Sequence, residues 1–148
     1  MAIYLDCIAP IVPLFHGIAR IGCYFAGCCY GIESRFGFTA YNNPFVPEVN
    51  GVSRFPVQLL ESTGNFMIAA LLFILLASNN KKNSLQGKLI YIYFLCYSVL
   101  RFFDEFLRGD IARGFIGFLS VSQTISLFFC VVSFIGLLYQ KEKNNIDS

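Results

Sequence analysis

Charge is what this sequence has least of. Only 14% of its 148 residues are Asp, Glu, Lys or Arg, where an ordinary soluble domain carries roughly 25%. A net charge of +2 is too small for a nucleic-acid binder, which needs a basic footprint. With 56% of residues hydrophobic and 17% aromatic, a disordered or collagen-like chain is excluded as well. Polar surface is equally scarce. A small soluble domain could not cover so much Phe, Leu and Ile, so the bilayer must solvate the outside. No basic residue precedes the first apolar run, which argues against a cleavable signal peptide. The expectation is an all-α polytopic membrane protein: a single membrane domain over residues 1–148, built as a bundle of about four transmembrane helices.

A helix needs about 20 largely apolar residues to cross the hydrocarbon core. Four stretches qualify: 8–30, 57–77, 88–106 and 119–139. The first is interrupted by Pro10, Pro13, His16 and Arg20. The lysines occupy two places, Lys81, Lys82 and Lys88 between the second and third spans, and Lys141 and Lys143 after the fourth. In a four-span chain both places fall on one side, and the positive-inside rule makes that side cytoplasmic, with both termini inside. The arginines lie in or near the opposite loops, or within spans one and three. Arg is the better bidentate partner for phosphate and carboxylate. The lysines therefore read as topological and the arginines as functional, against the plainer alternative of arginines snorkelling from helix ends.

At 100° per residue each span gathers its polar groups on one side. His16, Arg20, Cys23 and Gly27 fall within roughly 60°; Gln58, Glu61, Ser62 and Asn65 within roughly 100°; and Tyr97, Arg101, Asp104, Glu105 and Arg108 within roughly 100°. Span four adds Ser120, Gln123 and Ser126. Ionisable groups at membrane depth are expensive and face the bundle interior or a wet cavity. These stripes predict one polar cavity opening to the outer side. The alternative is an interhelical ion-pair network that only holds the bundle together.

Three of the six cysteines fall as C-x4-C-C at Cys23, Cys28 and Cys29, which is not a zinc-ribbon spacing. Adjacent Cys28 and Cys29 are awkward ligands for one tetrahedral ion, even with His16 as a fourth, and the expectation is no metal and no cofactor. A thiolate nucleophile near Arg20 is chemically reasonable, with His16 the one nearby base. Close packing of Gly22, Cys23, Gly27, Cys28 and Gly31 around a bulky ligand is the reading preferred over both.

The segment Arg20-Ile-Gly-Cys-Tyr-Phe-Ala-Gly-Cys-Cys-Tyr-Gly31 closely resembles the signature of prolipoprotein diacylglyceryl transferases of bacterial inner membranes. Three further blocks match in order: Arg54-Phe-Pro-Val-Gln-Leu-Leu-Glu61, Tyr97-Ser-Val-Leu-Arg-Phe-Phe-Asp-Glu-Phe-Leu-Arg-Gly-Asp110 and Gly117-Phe-Leu-Ser-Val-Ser-Gln-Thr-Ile-Ser126. Tyr4-Leu-Asp-Cys-Ile-Ala-Pro10 resembles the family's lead-in. Two signature positions depart from a common form, which has Asn and Glu at the places of Cys23 and Cys28. The family is usually nearly twice as long, with a His-Gly-Gly motif in its N-terminal half. His16-Gly17 does not match that motif, so the chain resembles the C-terminal half.

The resemblance implies transfer of diacylglycerol from phosphatidylglycerol to the thiol of a lipobox cysteine in a prolipoprotein, with release of glycerol phosphate. It implies phosphatidylglycerol, a prolipoprotein peptide and membrane lipids as partners, and no nucleic acid. Arg20 matches the essential signature arginine and Gly31 the closing glycine. Tyr97, Arg101, Glu105 and Arg108 match functional positions of the late helix. Together with the stripes, this makes Arg20, Arg101, Glu105 and His16 the expected catalytic residues. Cys23, Gly31, Gln58, Glu61, Tyr97, Arg108, Ser122 and Gln123 are the expected substrate-binding ones. Glu105 is expected to orient Arg101 more than to act as a general base. A non-catalytic lipid-binding subunit, or a transferase with another acceptor, are the alternatives.

Overall fold

The structure is a computed structural model and describes residues 2–79, 85, 87–109, 114–116 and 118–146. Lys81, Lys82, Asp110 and Gly117, used above, lie outside the described residues. In chain order the elements are α1 (Ala2–Ile8), α2 (Ile11–Ala26), β1 (Glu33–Thr39), β2 (Ser53–Arg54), α3 (Val57–Asn79), α4 (Leu89–Asp104), β3 (Phe115–Ile116), β4 (Leu119–Ser120) and α5 (Val121–Ile146). Single 3-10 turns cover Pro47–Val49 and Glu105–Leu107.

Three helical stretches are long and apolar enough to cross a membrane: Tyr4–Ala26, Val57–Ser78 and Val121–Glu142. The fourth helix, α4, has 16 residues, about 24 Å of rise, and the 3-10 turn after it carries the chain a little further. The first stretch is broken where Pro10 removes an N–H and crowds the carbonyl one turn earlier. Pro13 sits in the first turn of α2, where amides have no intrahelical partner, so it is tolerated there. The helix closes at Ala26, short of the expected 30, because Gly27 turns left-handed (φ 73°) and returns its N–H to Tyr24 O at 3.1 Å. This is the usual glycine helix stop.

The helices pack in sequence order, α2 on α3, α3 on α4 and α4 on α5. Their surface is inverted relative to a soluble bundle. Phe25, Met67, Ile74, Phe128 and Ile135 are each more than half exposed, while Gln58, Glu61, Ser62, Asn65, Ser98, Arg101, Asp104, Gln123 and Ser126 are buried. Hydrocarbon outside and satisfied polar groups inside is the arrangement the bilayer favours. A small apolar core of Ala9, Ile68, Leu72, Leu89 and Tyr93 lies at the opposite end of α3 from its polar first turns. There Asp6 accepts from the backbone N–H of Leu89 at 3.0 Å and from that of Gly87. Its carboxylate thus caps the start of α4, where the helix dipole favours negative charge.

At the polar end the connecting segments bind one another. Ile32 N donates to Leu107 O (3.0 Å), Gly109 N to Tyr30 O (3.0 Å) and Phe55 N to Ile32 O (2.9 Å). The chain after α2 is therefore clamped between the chain leading into α3 and the chain leaving α4. A Cβ on Gly31 would fall on the carbonyl oxygens of Phe55 and Leu107, so no larger residue fits. Beyond the clamp, β1 and β2 form an antiparallel pair whose Phe36, Tyr41 and Phe45 neighbourhood is strongly exposed. Arg54 lies 4.4 Å over the ring of Tyr30, and its NH1 donates to Gly31 O.

Candidate functional site

The site is built from the polar stripes of α2, α3 and α4 and from the clamp that holds their outer ends. In the first turns of α3, Glu61 is 1% exposed and receives three cationic or ionisable partners. Arg20 NH2 lies 2.8 Å from its Oε1, His16 Nε2 lies 3.9 Å from the same oxygen, and Arg108 NH1 lies 3.9 Å from Oε2. His16 and Arg20 sit one turn apart on α2, and Arg108 is delivered by the Gly31–Arg108 bridge. Three elements distant in sequence thus share one buried carboxylate. Around it, Asn65 Nδ2 donates to Glu61 O (2.8 Å), Ser62 Oγ to Gly17 O (2.8 Å) and Gln58 Nε2 to Cys28 O (2.8 Å).

The second centre lies between α4 and α5. Arg101, 7% exposed, holds Glu105 Oε2 at 2.7 Å through NH2, and the same nitrogen donates to Ser122 Oγ at 2.9 Å. Its NH1 is buried with no hydrogen-bond partner, as is Arg20 Nε. Arg101 closes the polar end of a cavity of about 220 Å³ whose walls include Tyr93, Phe94, Tyr97, Ser98, Ser122 and Phe129. Tyr97 joins the two centres: its ring stacks obliquely on His16 (centroids 4.9 Å apart), and its hydroxyl is 3.5 Å from His16 Nε2.

The expected residues therefore gather in two connected groups. His16, Arg20, Glu61 and Arg108 form the first, supported by Gln58 at the start of α3 and by Gly31 in the clamp. Tyr97, Arg101, Glu105 and Ser122 form the second. The described cavity is lined by Arg101 and Tyr97 and does not include Arg20 or Glu61. Gln123 occupies a different position: Ser120 N donates to its Oε1 (3.0 Å) and its own N donates to Ser120 Oγ (3.1 Å). This reciprocal pair is the capping box of α5. Two groups were not chosen from the sequence. Asp104 is 2% exposed, with Oδ2 lacking a hydrogen-bond partner, and Ser98 lines the cavity. Asp104 lies on the same arc as Arg101, and that shared arc was the available signal.

The thiols of Cys23, in the last turn of α2, and of Cys28 and Cys29, just beyond it, converge, all three sulfurs within 4.8 Å of one another. Cys28 and Cys29, adjacent in sequence, both face Cys23, and Cys29 does so from a left-handed backbone, φ 57°. The thiols differ in character. Burial, then a hydrogen bond involving Cys23, pushes Cys28 up to about 11. Burial acts against the Cys29 thiolate too, but the hydrogen bond and charge of Arg108, with Arg20 behind it, hold Cys29 below the usual thiol range.

A family model described as prolipoprotein diacylglyceryl transferase matches residues 1–139. Phosphatidylglycerol–prolipoprotein diacylglyceryl transferase 2 of Clostridium perfringens is 41% identical over 128 residues, covering 85% of this chain and 47% of that protein. The similarly named proteins of Clostridium tetani and Finegoldia magna are 39% and 33% identical, covering 86% and 93% of this chain and 49% and 51% of theirs. The chain spans about half the length of these curated relatives. No solved structure matches it.

Proposed function

Because the chain belongs to the prolipoprotein diacylglyceryl transferase family, we propose that it transfers the diacylglyceryl group of phosphatidylglycerol to the cysteine thiol of a prolipoprotein, releasing glycerol phosphate. One observation carries the reading. Arg101 is buried at the polar end of an aromatic-walled cavity between α4 and α5, with NH1 lacking a hydrogen-bond partner. A guanidinium whose NH2 is fixed by Glu105 and Ser122 offers the two N–H donors of NH1 to a phosphodiester, and the charge on both sides strengthens those hydrogen bonds. The aromatic wall suits an acyl chain lying along the membrane-facing groove. As the bond to phosphate breaks, negative charge grows on the leaving oxygen, and donors already in place stabilise it at no cost in reorganisation. Arg101 supplies one such donor, and Arg20, outside that cavity, adds its charge from the adjoining Glu61 group. Glu105 acts through Arg101 as a positioning residue. His16, beside the Tyr97 hydroxyl, takes the thiol proton directly or through water.

The protein is a multi-pass membrane protein of the bacterial inner membrane, and the reading places both termini on the cytoplasmic side. Lysine placement supports this. So does the packing: Asp6 holds the start of α4, and Gly136 near the end of α5 lies against the ring of Tyr91. These contacts put the ends bearing Lys88 and Lys141 together. The test of function is incubation of the purified chain in phosphatidylglycerol vesicles with a lipobox peptide. Glycerol phosphate release matched by a mass gain on the peptide cysteine is expected. Phospholipid binding without either product would refute the transferase reading and leave a lipid-binding subunit.

A further inference from the structure

We propose that Cys23, Cys28 and Cys29 form a three-thiolate site for Zn2+, whose fourth coordination position takes the sulfur of the acceptor thiol. The first half stands on the cysteines alone; the second rests on the transfer reading above. The three sulfurs already lie within 4.8 Å of one another. Thiolates bound to one Zn2+ at about 2.3 Å stand about 3.8 Å apart, so closure brings the sulfurs together by about 1 Å at most. The backbone is arranged for this. Gly27 ends α2 in a left-handed turn, and Cys29 is itself left-handed, a conformation that a residue with a Cβ avoids without cause. Gln58 fixes the same loop through Cys28 O. All three residues are half-buried and outside any disulfide, so an ion can reach them.

Ligand type and charge agree. An all-sulfur set selects a soft ion. Three protein ligands with one open position is the count of catalytic rather than structural zinc. Three thiolates around Zn2+ leave one net negative charge, and a fourth thiolate adds another. Arg108, which the Gly31–Arg108 bridge brings to the loop that follows the cysteines, supplies positive charge against it. A coordinated thiol is deprotonated outright. On binding, the acceptor R–SH therefore loses its proton to water and stays at the ion as thiolate. Its sulfur then forms a bond to the glyceryl carbon as the carbon–oxygen bond to phosphate breaks. The electron pair leaves on glycerol phosphate, and the zinc is unchanged.

The test uses the full chain in detergent micelles, stripped with chelator and titrated with Zn2+ or Co2+. One ion per chain is expected, with a thiolate-to-cobalt charge-transfer band and protection of three thiols from alkylation. Cys28→Ser and Cys29→Ser should each weaken binding at least hundredfold with unchanged circular dichroism; should either misfold, thiol protection in the wild-type chain decides alone. A lipobox peptide should shift the visible bands of the cobalt form, and its Cys-to-Ser counterpart should not. Failure to bind an ion stoichiometrically, or a mass two hydrogens lower from a disulfide, would overturn the site. Metal binding with no peptide-induced shift would overturn the fourth-position role. Neither readout needs turnover, so a chain that binds zinc and thiol yet releases no glycerol phosphate refutes the transfer reading and leaves this one standing.

Discussion

Two arginine–carboxylate centres lie side by side in this bundle, and they are built oppositely. At Glu61 one carboxylate serves Arg20, Arg108 and His16, groups drawn from α2 and from the segment after α4. At Arg101 the carboxylate comes from the next turn, a hydroxyl from α5 completes NH2, and NH1 borders a cavity. The first joins distant parts of the chain and has more cation than anion. The second is local, paired one to one, and adjoins open space. In a medium without water, identical side chains can thus act as a cross-link or as a receptor, depending on how many partners meet and what lies beside them.

Breaking each centre should separate these uses. The largest effect is expected at Glu61. Glu61→Gln keeps the shape but leaves three basic groups sharing no carboxylate, and removing one partner of a buried pair costs about 3–5 kcal/mol. Thermal unfolding in micelles should show that loss; an unchanged midpoint would mean that the cluster is not a cross-link. Next, Arg101→Lys should weaken phospholipid binding roughly tenfold to hundredfold, about 1.4–2.8 kcal/mol, with the unfolding midpoint little moved. Vesicle-binding isotherms check this, and equal affinity for the lysine variant would reduce Arg101 to packing. The smallest change is Ser122→Ala, which removes one hydrogen bond to Arg101 at about 1 kcal/mol. It should raise the KM for phosphatidylglycerol a few-fold. A larger effect on unfolding than on KM would assign Ser122 to helix packing instead.

Much of this was legible in periodicity. The arcs that hold Gln58 with Glu61 and Arg101 with Asp104 are the ones the helices bury, and His16, Arg20 and Tyr97 on their own arcs are partly buried. The break at Pro10 followed from ring sterics. What periodicity does not report is contact between loops. Arg108 reaches Glu61 because Gly31 bridges to it, a pairing of residues 77 positions apart that no local pattern encodes. The left-handed Cys29 is similarly invisible, since cysteine is not a residue that advertises positive φ. Gln123 illustrates the reverse: Ser120 and Gln123 have the spacing of a capping box, a signal present in the sequence and outweighed by their place in a functional-looking block.

The carboxylate of Asp6 has a history as well as a position. It is synthesised more than 80 residues before its partners, the amides of Gly87 and Leu89. Through the insertion of the first two long helices it has neither of them. Arrival of α4 gives the charge its donors and, in the same event, fastens the first helix to the third long one. Docking of α4 is thereby tied to Asp6, and α4 then presents the face on which α5 packs.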